Sequence, residues 1–338
     1  MRIVIISDAW TPQVNGVVRT LKQTERELKA QGHQLRFIVP QGRRGFALPF
    51  YPEIRLALVS AGAIGREIEA FLPDAVHIAT EGPMGLAARR WCLAHDVRFT
   101  TAFHTRHAEF IHAMLPLAGI QSAVWALLKW FHAPSHAVMA PTASMVEVLN
   151  AQGFDRVKLW SRGVDHDLFK PQRKNPLKHL PRPRLVLSGR VAAEKGIEEF
   201  LALDVPGSKI VIGDGPLRKK LQAKYPQVHF TGFLHNGEYA SHMAAADCFV
   251  FTGRHDTFGL VTLEALSCGV PVAAYPVPGP RDIIEDGVSG ALDDDLEKAV
   301  KRALKITPKA ARARALQFSW KNAARQFADY LAPVLPSP

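Results

Sequence analysis

The feature that most constrains this chain is a series of short, continuous apolar runs, each of which ends near a polar residue, a glycine or a proline. The first run, RIVIIS, begins at residue 2, and similar runs recur along the chain. Uninterrupted apolar runs of this length are typical of parallel strands buried on both faces. Helical patterns separate the runs; residues 17–31 form one, and Gly32 suits its C-terminus. The pattern therefore predicts doubly wound α/β sheets.

The apolar runs fall into two sets, separated by a linker-like segment. Residues 170–184 are rich in proline and basic residues, which is typical of a linker. A length of 338 residues suits two domains of ordinary size. Strands are predicted in the two sets at residues 2–7, 33–40, 75–79, 98–104 and 137–142, and at residues 185–190, 209–215, 228–233, 248–253 and 271–276. We expect two Rossmann-like domains facing each other across a cleft: residues 1–168, residues 169–318, and a C-terminal helical segment, 319–338, that packs back on the first domain.

The composition favours an anionic partner and a reducing compartment. The formal net charge is +11, which suits nucleic acid, an anionic membrane or a phosphorylated substrate. Nucleic acid is disfavoured because the basic residues are not interleaved with stacking aromatics in a known module. The three cysteines, an odd number, are far apart and form no metal-type pair, so we expect no disulfide framework and a cytoplasmic protein.

Membrane contact, if present, is predicted to be peripheral. The N-terminus reads as a first strand rather than a signal peptide, and no apolar stretch is long enough to span a bilayer. Residues 301–325 hold eight Lys or Arg and no acid. Residues 119–136 combine Trp125, Trp130 and Phe131 with Lys129, which suits the surface of an anionic membrane. The alternative is that these aromatic residues belong to the core.

Two basic residues follow the first predicted strand of the second domain. Arg190 comes directly after the strand, and Lys195 is predicted to open the next helix. Two cations beside a helix N-terminus can bind a diphosphate. The alternative is that both are ordinary surface cations. The G-x-x-x-x-G-K-[ST] pattern of a P-loop is absent.

Two carboxylates, Asp256 and Glu264, lie in the segment HDTFGLVTLEALSCG with seven residues between them. A helix is predicted from residue 258 to 268, with Thr257 or Asp256 as its N-cap. The backbone N–H groups of residues 258–260 (Phe258, Gly259 and Leu260) could then contact phosphate oxygens, and Gly259 permits close approach. Asp256 could accept hydrogen bonds from sugar hydroxyls, and Glu264 from a vicinal diol such as a ribose. A capping Asp and a solvated Glu are the alternative, but the apolar neighbours of Glu264 predict burial and a need for partners.

His104 follows a predicted strand of the first domain. A histidine at a strand end could contact a sugar hydroxyl or position a reacting group. Because the chain has 14 histidines, a purely structural role is the alternative.

Together, these motifs resemble those of glycosyltransferase family 4, whose members have the GT-B fold and retain the anomeric configuration. Asp256 and Glu264 match the ends of its E-x7-E motif, with Asp in place of the first Glu, and GRVAAEKG (residues 189–196) matches its donor-phosphate loop. The segments GDGP (213–216) and FTGF (230–233), Gly16 and His104 match further positions. The DTFG and PVPGP segments are closest to a branch of mannosyl- and lipid glycosyltransferases.

The resemblance implies roles for individual residues. Arg190 and Lys195 would hold the donor diphosphate and stabilise the leaving group, as electrostatic catalysts. Glu264 would bind the ribose, and Asp256 and the 257–260 backbone would grip the transferred sugar. Gly16 would permit close approach of phosphate or acceptor, and His104 would contact the sugar. The implied donor-binding set is completed by Gly189, Asp214, Thr257 and, near the base, Phe233 and Leu234.

The expected activity is transfer of a hexose or hexuronate from a nucleotide sugar to a membrane lipid such as diacylglycerol. UDP-glucose or UDP-glucuronate is the favoured donor, and GDP-mannose with a lipid or polysaccharide acceptor is the alternative. A nucleotide-sugar epimerase and a transferase with a phosphate or glycogen-type acceptor remain possible for the same fold. The resemblance implies that no metal or other cofactor is needed. The DDD segment at 293–295 comes too late in the chain for a metal site and is interpreted as the acid cluster of a helix start. The protein is expected on the inner face of the cytoplasmic membrane.

Overall fold

The computed structural model describes residues 1–13, 15–48, 51–115 and 117–334, with only the backbone at residues 48, 51–54, 113 and 114. The chain divides into two units, residues 1–162 with 320–338 and residues 163–319. Residues 163–168 thus belong to the second unit, where Val164 is part of the core. Residues 335–338 of the predicted C-terminal segment lie outside the described residues.

The first unit is built on a six-stranded parallel sheet with strand order β2-β1-β5-β6-β7-β8. An antiparallel hairpin, β3–β4, lies outside this sheet. The strands are β1 (Arg2–Ile6), β2 (Gln34–Ile38), β3 (Gly45–Leu48), β4 (Tyr51–Ala57), β5 (Ala75–Ile78), β6 (Thr100–Ala102), β7 (Val138–Ala140) and β8 (Val157–Leu159). The helices are α1 (Gly16–Ala30), α2 (Ala61–Phe71), α3 (Pro83–Ala94), α4 (His107–Met114), α5 (Ile120–His132), α6 (Ala143–Ala151) and, from the C-terminus, α14 (Trp320–Asp329).

The second unit has its own six-stranded parallel sheet, with strand order β11-β10-β9-β12-β13-β14. Its strands are β9 (Arg184–Ser188), β10 (Ser208–Ile212), β11 (His229–Gly232), β12 (Cys248–Phe251), β13 (Val272–Ala274) and β14 (Gly290–Leu292). Its helices are α7 (Ile197–Ala202), α8 (Arg218–Lys224), α9 (Asn236–Ala244), α10 (Leu260–Ser267), α11 (Pro280–Ile283), α12 (Leu296–Ala303) and α13 (Pro308–Ala315), with a 3-10 turn at Ala193–Lys195.

Both sheets are covered on their two faces, which explains why the strands read as continuous apolar runs. In β9, Val186 enters one core cluster while Leu185 and Leu187 enter the other. In β1, Val4 and Ile3 likewise enter different clusters. Successive side chains of a strand point to opposite faces, so a doubly covered strand needs apolar residues at every position. The prediction of two doubly wound α/β sheets is confirmed.

The structure corrects one predicted element, adds four strands and confirms one predicted helix start. The helix expected from residue 258 begins at Leu260. The hairpin β3–β4 and the short strands β8 and β14 were not predicted. Asp295 caps α12 by accepting hydrogen bonds from the N–H groups of Glu297 and Lys298, so the interpretation of the acidic segment as a helix start is confirmed.

Within the described part of the chain, no helix is long and apolar enough to cross a membrane. All three cysteines are buried thiols without a disulfide.

Candidate active site

The second sheet reverses its strand order between β9 and β12, and ligands of open α/β sheets bind beyond the strand ends at such a point. The loops after these two strands carry Lys195 and Asp256. The Lys195 Nζ atom lies 2.7 Å from Oδ1 and 3.0 Å from Oδ2 of Asp256. Both side chains keep about 30% of their surface exposed, at 32% and 28%. Two residues 61 positions apart therefore form a solvent-accessible ion pair where this fold binds ligands.

The loop after β9 is held by backbone contacts. The Val191 N–H donates to the carbonyl of Asp214, which follows β10. Lys195 ends the 3-10 turn, and α7 starts two residues later, after Gly196. The expectation that Lys195 opens the helix is thus wrong by two residues, because Gly196 adopts a left-handed conformation that separates the turn from the helix. Gly189 and Arg190 belong to the same loop.

Asp214 is engaged locally. Its Oδ2 accepts a hydrogen bond of 2.9 Å from Arg218 Nη1, and its Oδ1 accepts one of 2.8 Å from the N–H of Gly215. The carboxylate is half exposed. Its contacts fix the start of the loop that leads into α8.

The start of α10 differs from the sequence prediction. Neither Thr257 nor Asp256 is the N-cap; that position is Gly259, with φ of +86° and no side-chain cap. A left-handed φ disfavours any residue with a Cβ, and a Cβ here would come within 3.1 Å of the Phe251 ring. Asp256 is released from capping and bonds Lys195 instead, while Phe258 is buried.

Glu264 lies inside α10 and is only 2% exposed. Its Oε2 accepts a 2.9 Å hydrogen bond from the Tyr239 hydroxyl on α9. The predictions of burial and of a polar partner are confirmed, since an ionisable group in such surroundings is costly without one. The two acids of the HDTFGLVTLEALSCG segment therefore differ in their surroundings. Asp256 lies in a loop and contacts a lysine, and Glu264 lies inside a helix and contacts a tyrosine hydroxyl.

Phe233 and Leu234 follow β11, which also adjoins β10 in the same sheet. Phe233 is 48% exposed and its ring lies 4.6 Å from that of His235. Leu234 packs against the core. An exposed aromatic ring at a strand end offers a face on which a planar ring could stack.

Three side chains that the sequence did not indicate connect the loop after β12 to α7, the helix that follows Lys195. The guanidinium carbon of Arg254 is 3.6 Å from the centre of the Tyr275 ring, and Glu199 accepts hydrogen bonds from both side chains. Arg254 follows β12, Tyr275 follows β13 and Glu199 belongs to α7. These contacts tie the loop that carries Asp256 to the helix that follows Lys195.

In the first unit, the predicted residues Gly16 and His104 follow β1 and β6. Gly16 begins α1, next to its N-cap Asn15, and an added Cβ would meet no atom within 4 Å. His104 Nδ1 accepts a hydrogen bond of 3.3 Å from Arg162 Nη2. Burial and then the Arg162 charge hold the pKa of His104 well below its ordinary value, so its imidazole is neutral. Burial also lowers the pKa of Arg162 to about 9.

Three further side chains form an acid–histidine cluster beside His104, in which His132 is buried, Glu81 is 12% exposed and His107 is 39% exposed. Glu81 follows β5; its Oε1 is 3.3 Å from His132 Nε2 and its Oε2 is 3.7 Å from His107 Nε2. Burial raises the pKa of Glu81, but hydrogen bonds from His107 and His132 outweigh burial and hold the pKa well below its ordinary value. Burial lowers the pKa of His107, but the hydrogen bond and charge of Glu81 outweigh this and raise it. The cluster is therefore an ion pair between Glu81 and His107.

Asp8, directly after β1, caps the start of α3. Its Oδ1 accepts a 2.9 Å hydrogen bond from the N–H of Met84, and its Oδ2 accepts a 2.9 Å bond from the Thr80 hydroxyl. Burial raises its pKa despite these bonds. Asp8 thus joins the loops after β1 and β5, the two neighbouring strands at which the first sheet reverses its order.

Comparison with known proteins identifies the family. A family model described as Glycosyltransferase Family 4 matches residues 14–168, and one described as Glycosyl transferases group 1 matches residues 182–307. A Mycobacterium tuberculosis protein named GDP-mannose-dependent alpha-mannosyltransferase is 30% identical over 317 residues, covering 86% of this chain and 83% of that protein. The chain belongs to glycosyltransferase family 4. The resemblance inferred from the motifs is confirmed, and the chain is a glycosyltransferase that uses a nucleotide sugar.

Two further proteins extend the comparison. A Streptococcus pneumoniae protein named alpha-monoglucosyldiacylglycerol synthase is 27% identical over 354 residues, covering 91% of this chain and 79% of that protein. The solved structure of sucrose-phosphate synthase from Thermosynechococcus elongatus superposes with a TM-score of 0.78 at 19% identity, covering 97% of each chain. That likeness and the two parallel sheets establish the GT-B fold.

In the segment 119–136 of this family 4 chain, only some of the aromatic and apolar side chains are exposed to solvent. Trp125 and Phe131 are 8% and 2% exposed and belong to core clusters. The prediction that these two aromatic residues face a membrane is wrong, because the apolar stripe of α5 packs on the unit's own core. Trp130 is 52% exposed, and the Arg89 guanidinium lies 4.0 Å from its ring centre. Leu127, on the same side of α5, is 59% exposed.

Part of the basic run at 301–325 forms contacts within the fold. Arg302 forms an ion pair with Asp286, and Arg314 donates to the carbonyls of Asp282 and Ile283. These arginines complete helix ends and turns. Among the described residues, no group of three or more His, Cys, Asp or Glu could hold a metal ion.

Proposed function

We propose that this family 4 enzyme transfers a hexosyl group with retention of anomeric configuration from a nucleotide diphosphate sugar to a membrane lipid. The observation that carries the proposal is the Lys195–Asp256 pair, which lies at the strand-order reversal of the second sheet in the donor-phosphate loop of the family. A partly exposed ammonium held at a fixed position can bind a diphosphate and stabilise its charge as the sugar bond breaks.

Within the second unit, each polar group has a distinct proposed task. Lys195 and Arg190 hold the diphosphate, and Asp256 orients the ammonium and accepts a hydrogen bond from a sugar hydroxyl. The carboxylate of Glu264, oriented by the Tyr239 hydroxyl, binds the ribose diol. The backbone N–H groups of residues 259–260 contribute further donors.

Within the first unit, His104 is proposed to contact the transferred sugar as a neutral imidazole. Arg162 donates to its Nδ1, which leaves the N–H on the other ring nitrogen to face a sugar oxygen as a donor. Gly16 leaves open space beside the start of α1, where a phosphate or an acceptor hydroxyl can approach the backbone.

We place GDP-mannose first among the donors and UDP-glucose second. The relative of 30% identity is named for GDP-mannose, and the relative of 27% identity is named for glucosyl transfer. The second of these names also supports a diacylglycerol-type lipid acceptor. This ordering reverses the preference for a UDP sugar that the sequence analysis expressed.

The reaction is tested with a panel of labelled donors. Purified protein is incubated with GDP-mannose, UDP-glucose, UDP-glucuronate or UDP-galactose and vesicles that contain diacylglycerol and anionic phospholipid, and label is followed into the organic phase. We expect lipid label from GDP-mannose, with an α-anomeric linkage by NMR. Donor hydrolysis without lipid label would contradict the lipid acceptor, and a β-linked product would contradict retention.

We propose that no metal ion takes part, because Lys195 and Arg190 supply the positive charge at the diphosphate. Transfer should be unchanged after dialysis against EDTA. A loss of transfer that Mg²⁺ or Mn²⁺ restores would contradict the proposal.

We propose that the exposed part of α5 contacts the anionic inner face of the cytoplasmic membrane. Leu127 and Trp130 supply apolar surface, and Lys129 and Arg89 supply charge. Trp130→Glu should reduce binding to anionic liposomes, whereas Leu316→Glu, an exposed leucine in the second unit, should not. Equal binding by both variants and the unchanged protein would contradict this surface.

A further inference from the structure

The backbone segment that carries His104 is enclosed by a closed circuit of side-chain contacts within the first unit. The segment runs from Thr101 of β6 to His107, the first residue of α4. Thr101 contacts His132, which in turn contacts one carboxylate oxygen of Glu81. The other carboxylate oxygen of Glu81 faces His107. The chain itself joins residue 107 to residue 101, so the circuit is complete, and His104 lies midway along the enclosed segment.

The inner half of the circuit is buried, and its hydrogen bonds have a defined direction. Thr101, Ser135 and His132 are all buried. Thr101 Oγ1 donates a 3.2 Å bond to Ser135 Oγ, which donates a 2.7 Å bond to the carbonyl of His132. Because the single hydroxyl proton of Thr101 is used in this way, the Nδ1 of His132, at 2.8 Å, donates to Thr101. The His132 ring is thereby oriented with its Nε2 3.3 Å from Glu81 Oε1.

The outer half of the circuit holds the start of α4. Arg106 is the N-cap of this helix, but its side chain caps none of the described N–H groups, and its guanidinium pairs with Glu109 instead. A helix start without a side-chain cap depends on other contacts for its position. His107 supplies one of these contacts, since its Nε2 lies 3.7 Å from Glu81 Oε2.

The His104 ring has a second support, which acts on the ring rather than on the backbone. Arg162 Nη2 donates a 3.3 Å bond to His104 Nδ1. Arg162 is buried, and its Nη1 donates a 2.6 Å bond to the carbonyl of Trp160. This contact orients the imidazole, whereas the circuit fixes both ends of the segment on which the imidazole is carried.

We propose that Glu81 is a positioning residue for the transfer reaction. It joins His132, which is anchored in the core, to His107, and it thereby holds His104 where the imidazole contacts the transferred sugar. A displacement of about 1 Å in a group that contacts the substrate can lower the rate by up to about 10². The inference rests on the proposed function, in which His104 contacts the sugar, and adds a residue that acts through His104.

The first test is a substitution that keeps the size of the side chain. Glu81→Gln removes the charge and one acceptor oxygen, so the amide NH₂ must face one of the two histidines. We expect kcat to fall about ten-fold while KM for the donor stays within about two-fold, because the diphosphate is held by the other unit. Glu69→Gln makes the same change at an exposed acid of α2 and should alter neither constant. Circular dichroism sets an assay temperature at which all the proteins are folded.

The coupling between Glu81 and His104 separates positioning from a general effect on stability. In a His104→Ala protein, Glu81→Gln should lower kcat by less than about two-fold more, because no imidazole remains to be misplaced. The same ten-fold loss in both backgrounds would overturn the inference, since it would mean that Glu81 acts independently of His104.

A second measurement needs neither donor nor acceptor. In protein labelled with ¹⁵N-histidine, the ring signals of His104 are assigned by their absence from His104→Ala. They should shift in Glu81→Gln and in His107→Gln, and stay in place in Glu69→Gln. Unshifted signals in Glu81→Gln would overturn the inference. Shifted signals together with no transfer from any nucleotide sugar would instead contradict the transferase proposal and leave the contact between Glu81 and the His104 segment established.

Discussion

The two parallel sheets of this protein carry charge at their strand-order reversals in different ways. In the second unit, the pair is Lys195 with Asp256, and about 30% of each side chain is exposed. In the first unit, the corresponding loops carry Asp8 and Glu81, and Glu81 is enclosed by His107 and His132. The second sheet therefore has a solvent-accessible cation at its strand-order reversal, whereas the acids at the reversal of the first sheet are largely buried.

This difference supports the proposed division of tasks between the two units. An accessible ammonium can exchange its carboxylate partner for an incoming diphosphate at modest cost, because water still screens the pair. A buried acid between two histidines cannot exchange partners without leaving a charge in low dielectric. We therefore propose that the second unit binds the anion and stabilises the leaving group. The acid–histidine cluster of the first unit is proposed to position neutral groups such as His104.

The largest effect is expected at Lys195. Lys195→Met should lower kcat by about 10²–10³, the size seen when one preorganised donor to developing charge is removed. Lys224→Met, which removes an exposed cation paired with Glu198, is the control and should leave kcat unchanged. Steady-state kinetics with matched melting temperatures measure both. A Lys195→Met protein within three-fold of the unchanged enzyme would remove the pair from the mechanism.

A smaller effect is expected at Asp256, which has Asp where the family pattern has Glu. Asp256→Asn should lower kcat by about ten-fold or more, because the ammonium loses its two carboxylate contacts. Asp256→Glu lengthens the acid by one methylene and should change the ratio of kcat/KM between GDP-mannose and UDP-glucose. The donor panel measures that ratio, and an unchanged ratio would show that this acid does not contribute to sugar selection.

Glu264 is expected to act on nucleotide affinity rather than on the chemical step. Glu264→Gln should weaken nucleotide binding about ten-fold through the loss of charge-assisted bonds to the ribose. Tyr239→Phe removes only the donor that orients the carboxylate and should have a smaller effect. Calorimetry with GDP and the deoxyribose analogue tests this, since Glu264→Gln should lose most of the preference for the ribose.

The smallest effect is a dependence of stability on pH in the first unit. The pKa of Glu81 is lowered from 4.5, so its contribution is present above that value and is lost as pH falls through the lowered pKa. The pKa of His107 is raised from 6.5, so its contribution is present below that value and is lost as pH rises through the raised pKa. The difference in free energy of unfolding between the unchanged protein and Glu81→Gln should therefore be greatest between pH 4.5 and 6.5. Denaturant titrations of the two proteins across pH measure this difference.

Most strands of both sheets could be predicted from sequence, because a strand that is buried on two faces needs an apolar residue at nearly every position. The strands β8 and β14 could not, since neither lies in a distinct apolar run of the sequence. The hairpin β3–β4 lies outside the parallel sheet, so it lacks the continuous apolar pattern that revealed the other strands.

Candidate site residues could be predicted wherever a polar residue follows a buried strand. Arg190 and His104 were predicted in this way, and the same rule would also have selected Asp8 and Glu81. The partners of these residues could not be found, because they depend on packing: Tyr239 meets Glu264 across two helices, and Arg162 meets His104 from 58 residues away. The cap of α10 was missed because an acid near a helix start is usually the cap, and here Asp256 bonds a distant lysine instead.

The central claim is that the accessible Lys195–Asp256 pair, and not the enclosed cluster of the first unit, binds the donor diphosphate. The most direct measurement is calorimetric titration of GDP and UDP into the unchanged protein, Lys195→Met and His107→Gln. We predict that Lys195→Met weakens binding of the nucleotide that the enzyme uses by at least ten-fold, while His107→Gln leaves it within two-fold. Unchanged affinity in Lys195→Met, or an equal loss in His107→Gln, would contradict the claim.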